Sequence, residues 1–348
     1  MVRWWSGSAE DPNGNGKQDE MALVGYESGY RTDIVQFIIN AYVYCCDTNV
    51  FNATDGKVWV PYTTDEYRQA MIYLNKLYSE KLLTPLFYSI SEKAELLALC
   101  SPADKVAVAG VTGSHPTLHW EKDNEVLYQY AALAPLEGAT DLGGYAPLRG
   151  STYEYNTFIT CDAEDPVLCF KLLDFMTSYD SILRMRFGVY GEDWEYADEG
   201  TYSSTGVKAA VKVLNADAYS AQGNRTWHDV RATIVHSGAT ANQWTDDGSW
   251  AANRSKLSAA CYQTYVNGER PAEVIGTLVY NSEESEKVSE IRDQIEDYIA
   301  EARALFISGV MNPNDDTQWN NYLANLKAQG LDDWLAVAQS AYTRMTAK

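Results

Sequence analysis

Basic residues are scarce in this chain of 348: 27 Lys and Arg stand against 48 Asp and Glu, a net charge of −21. A polyanion is repelled by such a field, which argues against nucleic acid and anionic membrane surfaces as partners. Long apolar runs are missing too. No stretch approaches the roughly eighteen residues of a membrane span, and the opening MVRWWSGSAED turns acidic before a secretory leader could form. Histidine is rare, with four residues. His115 and His119 are four apart, but Pro116 breaks the helix that would align them on a metal; His228 and His236 lack an HExxH context. Six cysteines, at 45, 46, 100, 161, 169 and 261, include no CxxC and no zinc spacing. Cys45 and Cys46, inside the apolar INAYVYCCD, read as buried thiols. No GxSxG, P-loop or GxGxxG occurs, so serine hydrolases, nucleotidases and dinucleotide-binding enzymes lack their marks.

What is abundant is aromatic: 25 Tyr and 10 Trp, alongside 46% hydrophobic residues overall. That is ample for a large core, in two domains or one large one. Aromatic faces also stack on sugar rings, so the composition permits a carbohydrate binder without requiring one. Acidic neighbours such as Asp246–Asp247 and Glu192–Asp193 could in principle serve a glycosidase, but with 48 acids such adjacency arises by chance.

The stretch DPNGNGKQDE, residues 11 to 20, concentrates hard oxygen donors between glycines. Asp11, Asn13, Asn15, Asp19 and Glu20 supply side-chain oxygen, and Lys17 a main-chain carbonyl. Gly14 and Gly16 admit positive φ, so the backbone can turn tightly between the donors. Calcium takes about six to eight oxygens at roughly 2.3–2.6 Å. The template D-x-[DN]-x-[DN]-G is satisfied through Gly16, but its twelfth position is Ala22, so Glu20 would have to replace the usual bidentate Glu. A solvated Asx-Gly turn is the alternative.

Periodicity predicts a helix over 63 to 80, with Thr63 and Glu66 as a capping box and Tyr67, Met71, Leu74 and Tyr78 on one stripe. Buried strands are expected at 105 to 113, 126 to 136 and 154 to 161. Asp165 and Pro166 open a helix carried on by Leu168, Leu172 and Met176. The longest helix is expected over 283 to 307, on a stripe of Val288, Ile291, Ile295, Tyr298, Ala302 and Leu305. Helices at 315 to 329 and 332 to 345 close the chain, with Trp319 and Trp334 in the core. The Gly-, Ser-, Asn- and Trp-rich segment from about 195 to 280 reads as irregular loops. Strands mixed with helices make the class α/β.

Several segments then occur in a telling order: DPNGNGKQDE, YLNKLYSEKLLTPLF, KVAVAGVTG, LAPLEG, FITCDAEDPVLCFKLLDFM, GVYGEDWEY, and finally IEDYIAEARALFISGVMNP with WNNYLANLKAQGLDDWLAVAQSAYTRM. This set resembles the large lipoprotein-type extracellular solute-binding proteins of bacterial ABC importers, which include alginate- and oligosaccharide-binding receptors. The resemblance implies a two-lobed fold of periplasmic-binding-protein type II, hinged around a ligand cleft. It also implies a non-catalytic role: a monomer that delivers an oligosaccharide to importer membrane subunits. The same resemblance makes 11–20 a structural calcium loop with Asp11, Asn13, Asn15, Lys17, Asp19 and Glu20 as ligands. Family members carry a secretion signal, a lipidated Cys and several first-lobe strands before this loop. The expectation is therefore an N-terminally shortened receptor, extracellular and lipid-anchored in its full-length form. Residues 1–137 and 187–348 would make lobe two, nearly complete, and 138–186 the remnant of lobe one.

For the solute, Tyr190 and Trp194 fall in the family's cleft segment, although Tyr190 stands where relatives often carry Glu in G-x-E-G-x-x-W. Thr112, Ser114, His115 and Trp120 correspond to a cleft edge, and Tyr26 and Tyr30 flank a Gly-containing loop. Trp227, Trp244 and Trp250 read as packing or surface residues. Competing functions are a glycan-degrading enzyme with a carboxylate pair facing across a cleft, and a peptide or sensor receptor on the same fold.

Overall fold

The computed structural model describes residues 11–26, 33–45, 50–88, 93–113, 120–121, 123–146, 158–203, 206–215 and 248–347. The chain divides into two compact units, one of residues 1–152 with 262–348 and one of residues 153–261.

In the first unit, β1 (Met21–Val24) pairs in parallel with β4 (Ala109–Thr112), with Met21 opposite Ala109 and Val24 opposite Thr112. The other edge of β1 is met at Leu23, which receives Thr84 N–H and donates to Leu82 C=O. This leaves β1 in the middle, where Ala22, Leu23 and Val24 are buried. A hairpin of β2 (Asn52–Thr54) and β3 (Lys57–Trp59) turns through Asp55 and Gly56, both at positive φ. Two positive φ values in a two-residue loop match the right-handed twist of the strands.

Helices supply the bulk of this unit: α1 (Ile34–Ile39), α2 (Asp65–Ser79), α3 (Lys93–Cys100), and later α7 (Ser282–Ser308), α8 (Asp316–Ala328) and α9 (Leu331–Thr346). The stripe on α2 buries Tyr67, Met71 and Leu74 as expected, but the cap is displaced by one residue. Thr64 accepts Tyr67 N–H at 3.2 Å, whereas Thr63 belongs to a 3₁₀ turn begun by Pro61 and gives its hydroxyl to Val60 C=O. The longest helix, α7, opens on a true capping box of Asn281 and Glu284 and ends on Gly309 in the left-handed conformation. Its Val288, Ile295 and Ala302 are buried as the stripe required, and Trp319 and Trp334 sit in the core. Fully burying a side chain such as Phe306 or Leu326 contributes roughly 1.5–3 kcal/mol.

The strand expected at 126 to 136 is not one. Asn124 accepts Val126 N–H at 3.0 Å and caps a 3₁₀ turn over Glu125–Gln129, after which residues 130 to 136 run without a strand partner. Within 105 to 113, only Ala109–Thr112 pairs. Of the strand expected at 154 to 161, residues 154 to 157 lie outside the described residues, and 158 to 161 pair with nothing among them.

The second unit holds α4 (Pro166–Met176), capped by Asp165, then α5 (Tyr179–Phe187) and the antiparallel pair β5 (Trp194–Tyr196) and β6 (Val211–Val213). Its described core is Leu183, Phe187, Trp194 and Val211. That cluster lies on α5 and the strand pair, so the stripe on α4 is not buried: Leu168 is 63% exposed and Leu172 58%. The region expected to be irregular contains a 17-residue helix, α6 (Trp250–Val266), which crosses the unit boundary. Among the described residues, no helix is long and apolar enough to cross a membrane.

Candidate functional site

The acidic loop closes on itself through side-chain oxygens. Asp11 Oδ1 accepts Gly14 N–H at 2.8 Å and Asn15 N–H at 3.1 Å, and Asp11 Oδ2 accepts Gly16 N–H at 2.5 Å. Asn13 Oδ1 receives Asn15 N–H, and Asn15 Oδ1 receives Lys17 N–H at 2.8 Å. The turn needs its glycines, with Gly14 at φ +72° and Gly16 at φ +80°. Glu20 Oε1 accepts Asn13 N–H at 3.3 Å, drawing the far end of the loop back to its start. The loop is moored to the chain ahead of β4: Asn13 Nδ2 donates to Ala107 C=O at 3.1 Å, and Lys17 Nζ pairs with Asp104 at 3.1 Å. That pairing raises the Lys17 pKa and lowers that of Asp104.

The donors are all hard oxygens, the chemistry calcium selects. Lone pairs remain on them, since a carboxylate offers about four acceptor sites and the Asp19 carboxylate shares one donor, the Asn15 amide, between its two oxygens at 3.2 and 3.4 Å. Among the described residues no three His, Cys, Asp or Glu side chains are gathered tightly enough to hold a metal by themselves. A cation held here would need the asparagine oxygens and the Lys17 carbonyl as well.

In the second unit, Trp194 is fully buried and forms the floor of an aromatic cluster. Its Nε1–H donates to Gly188 C=O at 3.0 Å. Tyr190 stands edge-on to it at 5.1 Å between ring centroids, and Tyr196 likewise at 5.4 Å. Both tyrosines are exposed, at 46% and 51%. Tyr196 escaped the sequence reading. Its signal was the strand alternation in WEY, which sets positions 194 and 196 on the same face.

The turn beneath this cluster depends on Asp193, which is completely buried. Its Oδ2 accepts Val189 N–H at 2.8 Å and its Oδ1 the Asn215 amide at 3.1 Å. Gly188, at φ +95°, leaves the room: a Cβ there would lie 2.5 Å from Asp193 Oδ2. Glu192 beside it is exposed, whereas the Asp193 carboxylate is taken up by the turn itself.

The other predicted solute residues lie in the first unit. Thr112 ends β4, half-buried, with Cys100 Sγ 3.9 Å from its hydroxyl. Trp120 is buried edge-on to Tyr130 at 5.3 Å, and its Nε1–H has no hydrogen-bond partner among the described residues. Tyr26 is 7% exposed. Ser114, His115 and Tyr30 lie outside the described residues, as do His119, Trp227 and Trp244. Trp250 opens α6 under the Arg254 guanidinium, 5.0 Å from its ring centroid. A hollow of about 460 Å³ in the first unit is lined by Ser101, Lys105, Glu121 and Asp123 among others, none of them a predicted solute residue.

No protein-family model matches the chain. Its fold is nevertheless similar to that of several solved solute-binding proteins. A human-milk-oligosaccharide (HMO) binding, ABC-transporter-associated solute-binding protein of Bifidobacterium longum infantis superposes with a TM-score of 0.72 at 19% identity, over 100% of this chain and 69% of that one. The alginate-binding protein AlgQ2, solved without calcium ion, superposes at 0.54 and 16% identity, over 88% of this chain and 62% of that one. In sequence the chain is similar to FusA, the fructooligosaccharide ABC transporter substrate-binding protein of Streptococcus pneumoniae, 22% identical over 344 residues. FusA in complex with kestose superposes at 0.69 and 21% identity, over 99% of this chain and 66% of that one, and an EF-hand mutant of FusA at 0.68. The alignment takes in 97% of this chain but 60% of FusA, so the chain spans less than two thirds of that relative's length.

Proposed function

We propose that this chain acts in an extracellular receptor that binds an oligosaccharide and passes it, chemically unchanged, to a membrane ABC importer. The observation that carries this reading is the likeness to a fructooligosaccharide-binding transporter protein along 97% of the chain. The aromatic cluster in the second unit suits it: Tyr190 offers an exposed ring whose face stacks on the apolar face of a sugar, with a buried tryptophan holding that ring in place. Holding the ring rigidly reduces the conformational entropy lost when sugar binds. Thr112, Trp120 and Tyr26 in the first unit are proposed as further contacts. Secretion and lipid anchoring belong to the same reading, as does a monomeric state.

Calcium completes the proposal. The 11–20 loop would hold it through Asp11, Asn13, Asn15, Lys17 C=O, Asp19 and Glu20. Its role would be structural, tying the chain ahead of β1 to the chain ahead of β4 through Asn13 and Lys17. The enzyme alternative draws no support from Glu192 and Asp193, and a peptide receptor remains as the competing binder. A thermal-shift screen separates the two, because a ligand of the folded state raises Tm. Neutral oligosaccharides should raise it and peptides should not; the reverse pattern would overturn the proposal.

A further inference from the structure

The aromatic cluster also carries a specificity. Tyr190 and Tyr196 stand 5.6 Å apart between centroids, tilted by 51°, above the buried Trp194. Two adjoining rings offer a broader aromatic surface than a single ring would. The surrounding charge favours one class of sugar. Residues 188 to 215 contain five acids, Glu192, Asp193, Glu195, Asp198 and Glu199, against two lysines, Lys208 and Lys212. Lys212 is held by Glu195 at 2.9 Å across the strand pair. Lys208 is bridged through its backbone to Tyr202. Arg184 on α5 carries a raised pKa, first through Asp180 one helical turn earlier, which holds its Nε at 2.7 Å, and to a smaller degree through Tyr196 and Tyr190.

A uronic acid placed on these rings would meet an acidic surround and a guanidinium already engaged by a carboxylate. An uncharged sugar meets neither obstacle. We propose that Tyr196 joins Tyr190 as the second ring of the sugar platform, and that the platform selects uncharged oligosaccharides over uronate-containing ones. This inference rests on the oligosaccharide reading above and adds both a residue and a substrate class to it.

The test is calorimetric titration of the whole chain with the neutral probes kestose, nystose and maltotriose, and with trigalacturonate as the anionic probe. At least one neutral sugar should bind saturably, and trigalacturonate about tenfold more weakly or worse, a difference of about 1.4 kcal/mol. Tyr196→Phe should keep the neutral-sugar affinity within about threefold, and Tyr196→Leu, which removes the ring and keeps the bulk, should weaken it about tenfold. Asp180→Asn, which releases Arg184, should raise the affinity for trigalacturonate and leave that for the neutral sugar within about threefold. Trigalacturonate binding as tightly as the neutral sugars, or Tyr196→Leu binding them unchanged, overturns this inference and leaves the oligosaccharide reading standing. If no sugar of either kind binds, that reading fails and this inference with it.

Discussion

Asp193 holds the turn under Tyr190 from inside the protein: its carboxylate, fully buried, receives the Val189 N–H at 2.8 Å directly before that tyrosine. A buried acceptor removed from such a network leaves its donors unsatisfied, at about 1–3 kcal/mol for each. Asp193→Ala should therefore lower the unfolding free energy by several kcal/mol, read as a lower denaturant midpoint, and weaken sugar binding with it. Gly188→Ala should destabilise as well, because the new methyl meets the same carboxylate at 2.5 Å on a backbone already at φ +95°. Denaturant melts of both variants check this; melts unchanged from the parent would contradict it.

Calcium should stabilise the chain. Binding to the folded state at about a hundredfold above the dissociation constant contributes about 2.7 kcal/mol, which reads as a Tm rise of several degrees that EDTA reverses. Magnesium, smaller and bound to stricter octahedral geometry, should do less. Asp11→Ala removes the carboxylate that gathers three backbone N–H groups and should abolish the calcium-dependent rise. A Tm indifferent to calcium and EDTA would remove the loop from the account.

The start of α7 should be sensitive to acid. The Arg344 guanidinium, reached at 2.7 Å, and then the Asn281 N–H hold the Glu284 carboxyl down to about 2, against an ordinary value of 4.5. A depressed folded-state pKa contributes stability that is fully present above the unfolded value and is lost as pH falls toward the folded one. Stability should therefore decline between about pH 4.5 and pH 2, and Glu284→Gln should flatten that part of the profile. Urea melts across this range decide it.

Thiol reactivity should follow burial. Cys100 is fully buried and its thiol is pushed up to about 12 by that burial, so little thiolate forms at pH 8. Cys161 is exposed. Iodoacetamide on the folded chain should label Cys161 and spare Cys100 until denaturant is added, with mass spectrometry of the peptides as the readout.

The helices were legible where an apolar stripe and a capping residue agreed. Asp165 with Pro166, and the Val288–Ile295–Ala302 stripe of α7, each announce a helix at its observed place. Legibility failed where two local signals competed. Thr63 and Thr64 are equivalent by type, and only the 3₁₀ turn begun by Pro61 decides between them. Val126 and Tyr128 favour a strand by propensity, yet the Asn124 side chain closes a turn first. The α6 helix rests on Ala251, Ala252, Ala259 and Ala260, good helix formers that leave no clear stripe to read. The acidic 11–20 loop was the most legible part of the candidate site, because its chemistry lies in one short segment. The aromatic cluster was half-legible: Tyr190 and Trp194 stand out in the sequence, whereas the burial of Trp194 and the exposure of Tyr196 depend on how β5 pairs with β6.

The central claim is that the chain grips a neutral oligosaccharide and leaves it intact. Equilibrium dialysis against kestose, followed by chromatography of the recovered sugar, tests it most directly. Saturable retention of sugar that elutes unaltered is the expected result; no retention, or recovery of shortened sugars, would contradict it.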